Sequence, residues 1–322
     1  MKYQPVRGTH DIFGFEIDKY NIIVKKINEL ARIYNFKEIK TPIFESTKLF
    51  SKPLGDQSDV VLKEMYTFLD RNKDSLTLRP EYTTPMIRAA ISNNLLKQLP
   101  CKLYGIGSMF RRERPQKGRY RQFNQINFEN FGSTDSFADV ELILLANNFI
   151  KSILPNLNFK LYINSLGDRE TLNKYKKQLS NYLLKYKKEL SEDSKDKIIK
   201  NPIRILDSKN KNDRDIISSA PAIIEFLSKD ALNQFNEIKN ILKNFNIKFE
   251  EKHSLVRGLD YYCHTVFEFK TEDLGTQDTI IGGGRYDGLV SLLGGNDISG
   301  VGWAGGIERI MMLMKKTSNE NR

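Results

Sequence analysis

Cysteine is scarce in this chain: Cys101 and Cys263 are the only two in 322 residues, and they stand in no metal-ligand spacing. That excludes a disulfide framework and points to a reducing compartment with no structural zinc. The three histidines, His10, His253 and His264, are scattered and read as structural or solvated. No apolar run approaches membrane-spanning length, and the N-terminal MKYQPVRGTHDIFG lacks the apolar core of a secretory signal. A cytoplasmic protein without a membrane partner is expected. A GxxxxGK[ST] loop is absent, and no GxGxxG follows a strand in a βαβ unit, which argues against P-loop and Rossmann nucleotide binding.

What is present describes an ordinary globular chain, 39% hydrophobic and 28% charged. Its length is large for one compact core, so two domains are expected. Lys and Arg number 51 against 40 acidic residues, a net charge of +11 that favours a polyanionic partner.

Apolar residues at helical spacing predict an amphipathic helix over 16–35. FKEIKTPIFE (36–45) reads as a short strand interrupted by Pro42, which belongs on a sheet edge. Residues 65–69 and 75–79 flank a polar turn and predict a β-hairpin. After it, Thr84 suits an N-cap and Pro85 a first helical residue, which sets Glu81 at a strand-to-helix corner. There Glu81 either complements the positive helix end or serves a site. A helix is expected over 138–153. From 168 to about 246 the chain is Lys-, Asn- and Glu-rich and mainly helical, with polar breaks at 191–196 and 207–214. Strand character returns at 247–250 and 265–269. Up to the helical stretch, hairpins join the strands, so the sheet should be mostly antiparallel and the class α+β.

The densest chemistry lies in MFRRERPQKGRYRQFNQINFENFG (109–132). Alternation there puts Arg111 and Glu113 on one strand face, and Phe123, Gln125, Asn127 and Glu129 on one face of the returning strand. Clustered Arg offers planar donor forks suited to phosphate, although a solvated charged hairpin would read the same way. Further along, LVRGLDYY (255–262), GGGRYDGL (282–289) and GVGWAGGIERI (300–310) set Arg257 and Arg309 beside glycines. Those glycines allow close approach to a ligand, or simply of strand to helix.

Together these segments resemble the class II aminoacyl-tRNA synthetases, the histidyl family closely. FRRERPQKGRYRQFNQINFE (110–129) matches the second class II signature, with the histidyl-type RPQKGRYRQF loop. LVRGLDYY followed by TVFE (265–268) matches a histidyl-specific peptide, and GGGRYDGL the strand lining the histidine pocket. GVGWAGGIERI is similar to the third signature and FKEIKTPIFE to the first, which forms a homodimer interface around its proline, here Pro42.

The resemblance implies a class II antiparallel sheet flanked by helices, with residues 1–165 and 254–322 as catalytic core and 166–253 as an inserted helical domain. It implies ATP-dependent activation of histidine, with Mg2+, followed by transfer to tRNA(His). Arg111 would hold the α-phosphate and Arg119 the outer phosphates. Glu113 would meet the adenine amino group, Phe123 would stack on the ring, and Arg309 would cover its other face. Arg257 would face Arg111 across the α-phosphate and border the histidine. Glu81, Gln125 and Thr83 would surround the α-ammonium, and Glu129 and Tyr262 the imidazole; Tyr261 is pocket wall or core. Arg114 and Gln116 would approach the tRNA acceptor end. No protein-held metal is implied.

Two departures stand out. The chain ends at Arg322, where the family continues into an anticodon-binding domain, so that domain is expected to be absent. Position 82 is Tyr where the family commonly has Gly. Two other readings compete: a histidine-sensing regulatory paralogue of ATP phosphoribosyltransferase, and a basic nucleic-acid-binding module without catalysis. The phosphate arginines and the RPQKGRYRQF loop favour the synthetase over the first. The pocket glycines with Glu81 and Glu129 favour it over the second.

Overall fold

Ile23, Ile27, Leu30 and Ala31 give the first helix, α1 (Phe15–Ile33), one buried stripe that packs on the main core. The structure, a computed structural model, describes residues 3–55, 58–116, 118–275 and 278–314. Lys117 of the RPQKGRYRQF loop and the end at Arg322 lie outside these.

FKEIKTPIFE is two strands rather than one interrupted strand. β1 (Lys37–Glu38) joins the large sheet, and β2 (Phe44–Ser46) a second, three-stranded one. The buried Arg79 fixes the crossing by donating from Nη1 to Thr41 O and Oγ1, both at 3.0 Å. After α2 (Lys48–Leu54), the expected hairpin forms as β3 (Tyr66–Leu69) and β4 (Ser75–Leu78), with β4 also pairing β2.

Helix α3 (Thr83–Ser92) starts two residues earlier than its sequence suggests, and Thr84 is not its cap. The Glu81 carboxylate accepts the Thr83 and Thr84 amide N–H groups at 2.8 and 3.0 Å, so the side chain before the helix satisfies its first donors. Tyr82, the departure from the family, is buried with its ring under Arg79 at 4.3 Å. Gly105 makes the room: a Cβ there would meet that ring at 2.5 Å.

β5 (Cys101–Phe110) and β6 (Gln122–Phe131) pair along their full length. The incoming strand stops at Phe110, so Arg111 and Glu113 lie in the loop and not on a strand face as alternation suggests. Arg112 N–H turns away to Glu64 O at 2.6 Å, which ends the ladder. α4 (Ser136–Ile153) and β7 (Lys160–Ser165) follow.

The helical stretch holds α5 (Arg169–Lys185), α6 (Glu192–Lys200), α7 (Lys211–Ile217) and α8 (Lys229–Asn244). Residues 191–196, expected as a polar break, are a helix start. Ser191 caps α6, and buried Asp213 accepts from Ser191 N–H and from the hydroxyls of Ser191, Ser194 and Ser208 at 2.6–2.8 Å. Polar residues there cap rather than interrupt. Helix α8 buries Phe235, Ile238, Ile241 and Leu242 in the core shared with α4 and the large sheet.

β8 (Glu250–Glu251), β9 (Cys263–Lys270), β10 (Thr279–Arg285), α9 (Leu289–Leu292), β11 (Gly300–Gly306) and α10 (Ile307–Leu313) complete the described chain. The large sheet runs β1-β5-β6-β11-β10-β9-β7-β8, antiparallel except for β1/β5 and β7/β8 at its edges. Helices flank it, as the α+β expectation requires. Because β11 pairs β6, the strands that follow the helical stretch lie directly beside the arginine hairpin.

Candidate active site

The four arginines singled out from three separate segments line one cavity of about 1000 Å3, together with Glu113 and Glu268. Arg111 is anchored by donation from Nε to Pro80 O at 2.7 Å, with its Cζ 5.5 Å from the Phe123 ring centroid. Arg119 pairs with Glu113 at 2.7 Å. Arg309 donates to Gly118 O at 3.0 Å and Thr279 O at 3.1 Å, which ties α10 to the hairpin tip. Burial, with the charge of Arg119 beside it, holds the Arg309 pKa below the usual value. Such crowded cations favour an anionic ligand.

Arg257 pairs with Glu268 on β9, which also takes Lys270 at 2.9 Å. The glycines of β10 explain how it fits: a Cβ on Gly282 would lie 2.3 Å from the Arg257 guanidinium. Phe123 and Gln125 join the arginines around a smaller cavity of about 170 Å3, walled by Gly282, Ala304 and Gly306. Gln125 is buried and its Oε1 has no partner, an acceptor aimed at something further.

Beside these cavities sit two buried carboxylates. Glu129 accepts from Thr83 Oγ1 at 2.7 Å, from Asn127 Nδ2 at 3.1 Å and from the Tyr286 hydroxyl. Burial pushes its carboxyl up to about 7, and the charge of Glu81 adds to the rise. Burial also raises Glu81, against its bonds to Thr84 and Thr83 and the charge of Arg111. The Tyr261 ring lies tilted against Tyr262 at 4.7 Å and edge-on to Tyr286 at 5.7 Å, while Tyr262 leans toward Arg257, whose Cζ is 5.6 Å from its ring centroid. A Cβ on Gly302 would stand 1.7 Å from Glu129 Oε2, and one on Gly300 2.3 Å from the Tyr286 ring. Both glycine runs therefore make room for functional side chains.

Sequence reasoning missed Tyr286 and Glu268, and set Asn127 on the right face without giving it a role. Tyr286 lies inside GGGRYDGL and Glu268 inside TVFE, so both were in sight, but no local pattern ties them to partners 157 and 11 residues away. Arg114 and Gln116 are exposed at the hairpin tip, where Gln116 and Arg119 exchange backbone bonds. Pro42 is exposed beside the three-stranded sheet.

An antiparallel sheet carrying an arginine hairpin, a glycine-floored cavity and a third segment that returns an arginine over it defines a class II aminoacyl-tRNA synthetase. A family model described as histidyl-tRNA synthetase matches residues 8–310. The whole chain is 50% identical to a histidine–tRNA ligase of Wolbachia pipientis subsp. Culex pipiens (strain wPip), covering 79% of that protein. An apo histidyl-tRNA synthetase of S. aureus has a TM-score of 0.78 at 33% identity, over 100% of this chain and 77% of the other. An ATP phosphoribosyltransferase regulatory subunit/histidyl-tRNA synthetase from Bacillus halodurans shares the fold, with a TM-score of 0.72 at 21% identity over 98% of this chain and 84% of the other. This chain belongs to the histidyl-tRNA synthetase family.

Proposed function

We propose that the chain is a histidine–tRNA ligase: it activates histidine with ATP and transfers the histidyl group to tRNA(His). The observation that carries this reading is the convergence of Arg111, Arg119, Arg257 and Arg309 on one cavity beside the Glu81–Glu129 pocket. The histidine carboxylate is an anion at neutral pH and needs no general base. One of its oxygens bonds to the α-phosphorus of ATP as the bond to pyrophosphate breaks. What the protein supplies is alignment and positive charge.

Arg111 and Arg257 flank the α-phosphate in this reading, and Arg119 and Arg309 take the outer phosphates. Phe123 stacks under the adenine, and Glu113 meets its amino group. Glu81, Thr83 and Gln125 receive the α-ammonium, and Glu129 accepts an imidazole N–H within the wall of Tyr261, Tyr262 and Tyr286. An amino acid without ring nitrogens would leave Glu129 unmatched, which is the basis of selection. Mg2+ would come with ATP and neutralise phosphate charge. Of the carboxylates that line the cavity, Glu113, Asp207, Glu268 and Asp278, three already pair with cations, which suits a metal bound mainly by phosphate and water. A sensor of histidine alone has no use for four phosphate-facing arginines.

The exposed tip with Arg114 and Gln116 is positioned for the acceptor end, and the Lys-rich stretch at 166–253 for phosphates of the acceptor stem. Pro42 and the outer face of the three-stranded sheet are read as the homodimer contact, and the cytoplasm as the compartment. Among the described residues no helix is long and apolar enough to cross a membrane. The proposed charge of Arg257 is tested directly by Arg257→Ala: histidine-dependent pyrophosphate exchange should fall about 10²–10³-fold with ATP binding retained. An unchanged rate would contradict its role.

A further inference from the structure

Cys263 and His264 open β9, where alternation should send neighbouring side chains to opposite faces. They converge instead. His264 is held at φ 45°, a left-handed conformation that non-glycine residues adopt only under constraint. The β9–β10 register slips between Gly284 and Arg285, a bulge of the kind that re-aims side chains. Two backbone bonds fix the distortion, His264 N–H to Gly167 O and Leu166 N–H to His264 O, each at 2.7 Å.

The outcome is a group of soft and hard donors in one place. Cys263 Sγ, a His264 ring nitrogen and an Asp287 carboxylate oxygen all lie within 4.8 Å of one another. Asp287 orients the group, giving its N–H to Cys263 Sγ at 3.2 Å and using Oδ1 to accept from Gly300 N–H at 3.1 Å. His264 Nδ1 is buried without a hydrogen-bond partner, which simple polar packing does not explain.

The surrounding charge points the same way. Buried Arg285 is paired with Asp139 and stands 3.4 Å from Asp287, so one cation faces two carboxylates. A dication bound by the Asp287 carboxylate and the Cys263 thiolate would offset their negative charge beside the Arg285–Asp139 pair. We propose that Cys263, His264 and Asp287 form a binding site for a zinc-type divalent transition metal, with a fourth position open to water. Sulfur with imidazole favours such an ion over Mg2+ or Ca2+. Bonds of about 2.0–2.3 Å set tetrahedral ligands about 3.5 Å apart, within reach of modest side-chain rotation. Cys263 binds as thiolate, and its proton leaves to solvent.

This assignment replaces the sequence-level expectation of no metal and of a structural or solvated His264. Wide sequence separation of Asp287 from the Cys-His pair hid the grouping. The ion would brace the start of β9 against the turn after β10, next to Tyr286 and so behind the Glu129 pocket, without touching substrate. It stands apart from the catalytic reading and does not require it.

The test is a Co2+ titration of the chelator-treated full chain, with a phosphine in place of a thiol reductant. A thiolate-to-cobalt charge-transfer band should saturate at one ion per chain and bleach on adding Zn2+. Cys263→Ser should lose the band, His264→Gln should weaken binding by more than roughly tenfold, and Cys101→Ser should keep both. Circular dichroism confirms that each variant is folded. No band in the wild type, or a band that persists in Cys263→Ser, overturns the site. If Cys263→Ser does not fold, unchanged affinity in His264→Gln does so.

Discussion

Glu129 is buried with a threonine, an amide and a phenol as its partners and no cation among them. Its carboxyl is pushed from the ordinary 4.5 up to about 7, first by burial. Between those values the folded chain keeps a proton that the unfolded chain has released. The stability from this group is therefore full below the unfolded value and is lost as pH rises through about 7. Thermal melts of the ligand-free protein should show this as a fall between about pH 5 and 7.5 that is shallower in Glu129→Gln, where Glu81, also raised by burial, still contributes. The same slope in both proteins would contradict the assignment. If histidine binds as proposed, an imidazole that donates to Glu129 should draw the carboxyl back down.

At the scale of the element, the cap of α3 shows how site and fold share groups. Glu81 satisfies two helix amides from outside the helix, where the sequence suggests Thr84. Glu81→Ala should cost about 0.5–2 kcal/mol in denaturant unfolding and more than Thr84→Ala; the reverse order would restore Thr84 as the cap. The elements legible in the sequence were those with local periodicity: α1, the β3–β4 hairpin and the returning strand β6, whose alternation carries Gln125, Asn127 and Glu129. What was illegible depends on distant partners. Arg111 and Glu113 leave the strand because Arg112 N–H finds Glu64 O, and the bond from Tyr286 to Glu129 spans 157 residues. The first turn of α6 looked like a break because the Asp213 that organises its serines lies well downstream.

For the whole molecule, the three-stranded sheet leaves an apolar face in the open. The register sets Phe44 and Phe68 on the same face, 53% and 44% exposed, near Pro42. If this face joins two copies, Phe44→Lys should shift the protein to monomer in sedimentation velocity. A wild-type monomer, or a dimer unaffected by Phe44→Lys, would remove the face from that role. The arginine hairpin and the strands beyond the helical stretch meet in one sheet, and this is what allows groups more than a hundred residues apart to line one cavity.

Activation of histidine by these groups is tested most directly by ATP–pyrophosphate exchange on the purified chain, run with each amino acid in turn. Exchange that depends on histidine and on no other amino acid is the predicted result. Histidine binding without exchange, or exchange driven by a different amino acid, would contradict it.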